Sequence, residues 1–113
     1  MLIEKLLIVE GSSDKKRIVP LLAEPMEIIC TNGTISPTRL EELLAPYDEL
    51  ELYVFVDADD SGEKIRKLFK RDYPEAFHLY TDPMYREVAT TPLKVLASTL
   101  IHANIDVKAE FLN

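Results

Sequence analysis

Two short apolar runs, each ending on an acid, constrain this chain more than any other feature. Leu6-Leu7-Ile8-Val9 runs into Glu10-Gly11, and Leu50 to Val56 (LELYVFV) runs into Asp57. A strand exposed on one face alternates apolar and polar residues. A nearly continuous apolar run reads instead as a strand covered on both faces. Strands covered on both faces need helices above and below, and so call for parallel pairing with helical crossovers.

The segments between these runs supply the helices. Ser12 or Ser13 is the expected cap of a first helix with Asp14 in its first turn, and Ile18, Leu21 and Leu22 form its apolar stripe. Pro20 removes a helical hydrogen bond and predicts a kink or an early end. A second strand fits Met26 to Cys30, followed by the turn Thr31-Asn32-Gly33-Thr34, in which Gly33 takes positive φ. Ser36-Pro37 has the form of an N-cap followed by proline at the first helical position, and Leu40, Leu43 and Leu44 keep helical spacing. After Asp57, a third helix is expected to turn Ile65, Leu68 and Phe69 inward and Lys64, Arg66, Lys67, Lys70 and Arg71 outward. A fourth strand fits Ala76 to Tyr80, and residues 81–90 read as loop. Thr91-Pro92 opens a last helix bearing Leu93, Leu96, Leu100 and Ile101. The tail from Asp106 suggests one short extra strand.

Strand and helix patterns thus alternate along nearly the whole length, with no linker, repeat or low-complexity stretch. The expectation is a three-layer α/β/α fold around a mainly parallel four-stranded sheet, with right-handed crossovers and strand order 2-1-3-4. At 113 residues the chain fits a single domain over 1–113.

Composition narrows the function. The one cysteine, Cys30, rules out an intrachain disulfide and a thiolate zinc site, and His78 and His102 lie too far apart in sequence to compensate. No apolar run approaches the roughly 20 residues of a membrane span, and the N-terminal run is broken by Glu4 and Lys5, unlike a signal peptide. These features place the protein in the cytoplasm, away from membranes. The net charge of −7 argues against binding nucleic acid by a basic footprint. It leaves open an enzyme whose acids are metal ligands.

In an open parallel sheet, ligands bind beyond the carboxyl ends of the strands. Glu10 and Asp57 close two such ends, and Asp59 lies two residues beyond Asp57, on the same side of an extended backbone. Two carboxylates about 5 Å apart repel by roughly 3 kcal/mol at an effective dielectric of 20. Such a cluster keeps a proton, pairs with bases or binds a cation. Magnesium, which takes one or two carboxylates, waters and a substrate phosphate, suits an Asp-x-Asp pair at a strand end, and the remaining glutamate can move a proton. Gly11 and Gly62 open the turns into the two adjoining helices, whose N-terminal amides favour a phosphate. Gly33 marks a third turn at the same rim.

Val9-Glu10-Gly11-x-x-Asp14, Asn32-Gly33-Thr34 and Val56-Asp57-x-Asp59-x-x-Gly62 resemble, in order and spacing, the Toprim domain of bacterial primases, topoisomerases, recombination proteins and small nucleases. The run Gly62-Glu63-Lys64-Ile65-Arg66-Lys67 and a following histidine, here His78, are similar to the group that includes the 5S ribosomal RNA maturation nuclease. The resemblance covers roughly the first 80 residues. It implies Glu10 as general acid or base, Asp57 and Asp59 as ligands of Mg2+ (Mn2+ substituting), and phosphodiester chemistry on the backbone of RNA or DNA. Gly11, Asp14, Gly33, Asp60, Gly62, Lys64 and Arg66 are the supporting or phosphate-binding candidates. Two departures stand out: Ser12 replaces the lysine that this nuclease typically carries after its first glycine, and its separate RNA-binding region is missing. A protein partner supplying the substrate-binding surface would answer the second.

Simpler readings remain beside these. Glu10 can cap the first helix or pair with Lys15, Asp57 and Asp59 can be turn and cap residues, and Asp60 a first-turn acid. His78, His102 and Cys30 read as structural. Tyr85 and Arg86 reach a substrate only if their loop covers the site. The whole can equally be a non-catalytic Toprim-like module binding a metal, nucleotide or nucleic-acid partner. A phospho-receiver domain fits less well, since it wants an acidic pair after strand one and a lysine near a fifth strand.

Overall fold

The computed structural model describes residues 2–112. Four strands, β1 (Lys5–Val9), β2 (Glu27–Cys30), β3 (Glu51–Phe55) and β4 (Phe77–Leu79), form one all-parallel sheet in the order β2-β1-β3-β4. Helices α1 (Ser12–Ile18), α2 (Pro37–Leu44), α3 (Asp60–Asp72) and α4 (Leu93–His102) cover its two faces. The expected α/β class and strand order are those observed.

The pleat of β1 sorts the core. Leu6 and Ile8 point to one face, where Leu40 and Leu44 of α2 and Ile65 and Phe69 of α3 cover them. Leu7 and Val9 point to the other, against Ile18 of α1 and Leu96, Ala97 and Leu100 of α4. These four apolar side chains of β1 are fully buried, and burial of an aliphatic side chain of this size contributes about 1.5–3 kcal/mol. The handedness rule explains the layering. The step from β1 to β2 runs in one direction across the sheet, and the steps to β3 and β4 run in the other. Crossovers of one hand must therefore put α1 opposite α2 and α3. The direction reverses between β1 and β3, and the crevice at their carboxyl ends is where such a sheet takes its ligand.

Local chemistry sets the element ends. α1 stops at Ile18, and Val19–Leu21 form a 3-10 turn around Pro20. Ser36 accepts a hydrogen bond from the Arg39 amide at 3.2 Å, with Pro37 opening α2. The cap expected from Ser12 or Ser13 is not found: both serines lie within α1, and its N-cap is Gly11. The side chain that closes this turn is Asp14, whose Oδ2 accepts from the Gly11 amide at 3.0 Å. A carboxylate at the third helical position reaches back to an orphan donor, which a serine at the first or second cannot do. The extra strand expected in the tail is reduced to one antiparallel bridge between Val107 and Leu22, followed by a 3-10 turn over Ala109–Phe111.

Arg66 departs most from expectation. It does not face solvent; it is 1% exposed, beside Ile65 on the sheet-facing side of α3. Its Nη2 donates to the carbonyls of Val56 (3.0 Å) and Leu79 (2.6 Å), and its Nη1 lies 3.2 Å from His78 Nδ1. The Tyr80 ring covers the guanidinium at 4.0 Å. The ends of β3 and β4 present carbonyls with no further strand to pair them, and a forked, multiply donating head satisfies both.

Candidate metal centre

The rim of the sheet at β1 and β3 gathers the three expected acids. Glu10 follows β1 directly, and Asp57 and Asp59 lie in the turn between β3 and α3. One carboxylate oxygen from each lies within 4.8 Å of the other two, and all three residues are half-buried. Residues 47 and 49 positions apart in sequence therefore converge as predicted.

Each carboxylate is held by the backbone. Glu10 Oε1 accepts from the Asp57 amide (3.1 Å) and Oε2 from the Ser61 hydroxyl (3.3 Å), so Glu10 neither caps α1 nor pairs with Lys15. Asp57 Oδ1 accepts from the Val88 amide at 2.8 Å. Asp59 is the N-cap of α3, its Oδ1 accepting from the Gly62 amide at 2.7 Å. The Asp57 and Asp59 bonds each engage one oxygen, and no hydrogen bond among the described residues engages the other.

Gly62 holds its place by steric necessity. A Cβ there would lie 1.9 Å from the Asp57 carbonyl oxygen, an impossible contact. Gly33, with φ +95°, follows Asn32 in the left-handed turn after β2, and the Asn32 amide donates to the Glu10 carbonyl at 2.7 Å, drawing that turn to the same rim. Asp60 is an exposed first-turn acid outside the cluster, and Lys64 is exposed on α3.

The electrostatics leave the centre short of positive charge. None of the ion pairs among the described residues includes Glu10, Asp14, Asp57 or Asp59. Burial pushes the Glu10 carboxyl above its ordinary range, reinforced by Asp57 and Asp59. Asp57 is raised by burial first and then by Asp14, Asp59 and Glu87; Asp14 is raised by burial and Glu87, against a lowering by the Gly11 amide. Three clustered oxygen donors, none ion-paired, suit a hard divalent cation.

Sequence reasoning missed the parts that position this cluster. The segment after β4 closes over the β3–α3 turn: the Ala58 amide donates to the Arg86 carbonyl (2.7 Å), and Arg86 Nε donates back to Ala58 at 3.4 Å. The same segment supplies the Val88 amide. Arg86 thus touches the site through the turn's main chain, while Tyr85 is half-buried beside it. A main-chain donor has no residue-type signature, so nothing in the sequence could have marked Val88. Ser61 was visible only as part of a turn-forming run. Burial, with Arg66 and Lys70 nearby, lowers the His78 pKa. His102 bonds back to the Ser98 carbonyl at 2.7 Å, as a structural residue would.

A parallel sheet whose switch point carries Glu and Asp-x-Asp at adjoining strand ends defines a class: acid-centred α/β domains suited to a divalent cation. The Toprim domain family model matches residues 5–83, and the chain belongs to that family. It is 54% identical over 110 residues to the Bacillus subtilis (strain 168) protein YusF, covering 97% of this chain and 75% of that one. It is 37% identical over 81 residues to ribonuclease M5 1 of Ligilactobacillus salivarius (strain UCC118), covering 71% of this chain and 43% of that protein. The chain thus spans less than half the length of that nuclease. A solved small TOPRIM domain protein from Bacillus stearothermophilus superposes with a TM-score of 0.94 at 50% identity, covering all of this chain and 96% of that one.

Proposed function

We propose that this chain is a Toprim domain performing metal-dependent phosphodiester cleavage on RNA or DNA. Asp57 and Asp59 hold Mg2+, which Mn2+ can replace, and Glu10 moves the proton. The observation carrying this reading is the convergence of three acids, none of them ion-paired among the described residues, at the switch point of the sheet. A divalent ion there supplies charge neutralisation for a phosphate and acidifies water. The rest falls to the chain. The Val88 amide fixes Asp57, and the first turn of α3 fixes Asp59. Glu10, its carboxyl raised by burial and by its two neighbours, holds a proton more readily than an ordinary carboxylate, as a group that moves protons needs. Asp14 supports the site from behind through the Gly11 turn. We take residues 1–113 as a single domain acting in the cytoplasm. Among the described residues no helix is long and apolar enough to cross a membrane.

The acidic surface favours a partner. With a net charge of −7, the chain does not hold a polyanion by general attraction, and we assign the outlying part of the substrate-binding surface to a protein partner, with this chain gripping the strand beside the acid centre. The same observation favours the second reading, a non-catalytic module that binds metal and acts through assembly.

Calorimetric titration with Mn2+ and a cleavage assay on structured RNA and single-stranded DNA separate the two. Cleavage that needs the metal and falls by about 10²–10⁴-fold in Glu10→Gln supports the enzyme. Metal binding without cleavage supports the module. No heat with Mn2+, or equal heat in Asp57→Asn/Asp59→Asn, removes both.

A further inference from the structure

We propose that Tyr80 is a stacking platform for an unpaired nucleobase, next to the phosphate handled by the acid centre; this deepens the phosphodiester reading and rests on it. Leu79 pairs with Phe55, so Tyr80 leaves β4 level with Val56, one residue before Asp57. Adjacent parallel strands lie about 4.8 Å apart, which brings Tyr80 and the acids to one rim. The pleat turns Tyr80 and His78 away from Leu79 and toward the face covered by α3. Glu10 reaches Ser61 in the first turn of that same helix.

One side of the ring is already occupied. The Arg66 guanidinium lies 4.0 Å from its centroid, fixed by the Val56 and Leu79 carbonyls, and His78 sits 6.4 Å away at 29° to its plane. Yet Tyr80 remains 54% exposed. Covering Arg66 takes an aromatic ring, since an aliphatic side chain offers no cation–π contact, but it uses one face of that ring and leaves more than half of the residue open to solvent. A large aromatic surface packed on Arg66 and still more than half exposed is what a base needs, and a side chain already packed costs little ordering entropy on binding. Arg66 adds charge of the right sign: among the described residues its one ion-pair contact is the loose one with Glu63, at 4.0 Å. The occupant is therefore a single-stranded nucleotide rather than a paired one, because a base within a duplex has no free face to offer.

The test measures binding without turnover, in the Glu10→Gln background with Mg2+. The probe is a fluorescein-labelled single-stranded RNA decamer, alongside decamers carrying one abasic site at successive positions and the matching duplex. Tyr80→Ala should weaken decamer binding roughly 5- to 100-fold, the range of lost base–aromatic stacking. Tyr80→Phe should stay within about twofold, because the ring and not the hydroxyl stacks. One abasic position should lose the same factor with Tyr80 present and nothing further with Tyr80→Ala, and duplex binding should be unchanged. Equal decamer binding by Tyr80→Ala, or an equal loss on the duplex, overturns the platform and leaves the phosphodiester reading standing. Binding of neither probe by the parent takes both down. Near-UV circular dichroism identifies a variant that has lost its fold, and Tyr80→Phe then decides: weakening beyond about twofold overturns the platform, and retained binding that the abasic series abolishes at one position upholds it.

Discussion

Two turns leave the sheet at the same edge, and they are alike in sequence and unlike in construction. After β1, Glu10-Gly11 leads into α1; after β3, Asp57-Ala58-Asp59-Asp60-Ser61-Gly62 leads into α3. Each pairs an acid with a glycine and a helix start. Gly11 has room: an added Cβ would meet nothing closer than Asp14 Oδ2 at 3.8 Å. Gly62 has none, because its Cα abuts the Asp57 main chain. The first turn is closed by a side chain, Asp14. The second is wedged between helix, strand end and the segment after β4. Identical residue types at a shared rim can therefore answer to different constraints, one permissive and one absolute.

The sharpest way to break that comparison is a matched pair of alanine variants. Gly62→Ala must push the α3 start away from Asp57, and we expect a loss of 3 kcal/mol or about that, at the upper end of overpacking costs, together with loss of Mn2+ binding. Gly11→Ala should change stability by about 1 kcal/mol or less and keep the metal, since its φ of −142° is open to any residue. Chemical denaturation and calorimetry read both. Equal effects would mean the two turns are built alike after all.

Arg66→Met gives a smaller expected effect. It removes the donors that tie Val56 to Leu79 while keeping most of the side-chain volume, leaving two carbonyls short of a partner. Each carbonyl costs about 1–3 kcal/mol when left unsatisfied, with partial relief where water reaches the strand ends. The midpoint of urea unfolding should fall accordingly, and the first turn, which has no such clamp, should keep its amide-exchange protection.

The smallest effect sharpens the electrostatic side. Glu10, Asp14 and Asp57 all have raised carboxyl pKa values, burial being the leading cause. Folded protein thus holds protons that the unfolded chain has already released. Stability from these groups is complete below the ordinary carboxylate range and is lost as pH rises through the raised values. In chelator, Tm should fall between about pH 4 and neutrality, more gently in Asp57→Asn. Saturating Mn2+ at about 100 times its Kd should restore about 2.7 kcal/mol at pH 7 and less at pH 5, where protons compete. A Tm that climbs over that range in chelator would contradict the raised carboxyl values.

What the sequence disclosed follows the range of the forces involved. Strand order, the Pro20 break and the Ser36 cap rest on local pattern or on the handedness of crossovers, and they were legible. So was the meeting of Glu10 with Asp57 and Asp59, since it follows from strand order alone. Arg66 was misjudged because residue type favours solvent. Its burial depends on two carbonyls from strands that meet only in the folded sheet. The hold on Asp57 was invisible for a related reason: its donor is a peptide group 31 residues downstream.

That last bond sets a lower limit on the portable unit. The family match ends at residue 83, beyond all three acids, but Arg86 and Val88 lie past it. A minimal version cut at the motif's border would inherit all three acids and lose the brace that keeps Asp57 aimed. For transplantation or fusion, the inheritable module is longer than its signature, and the seam belongs after the strap.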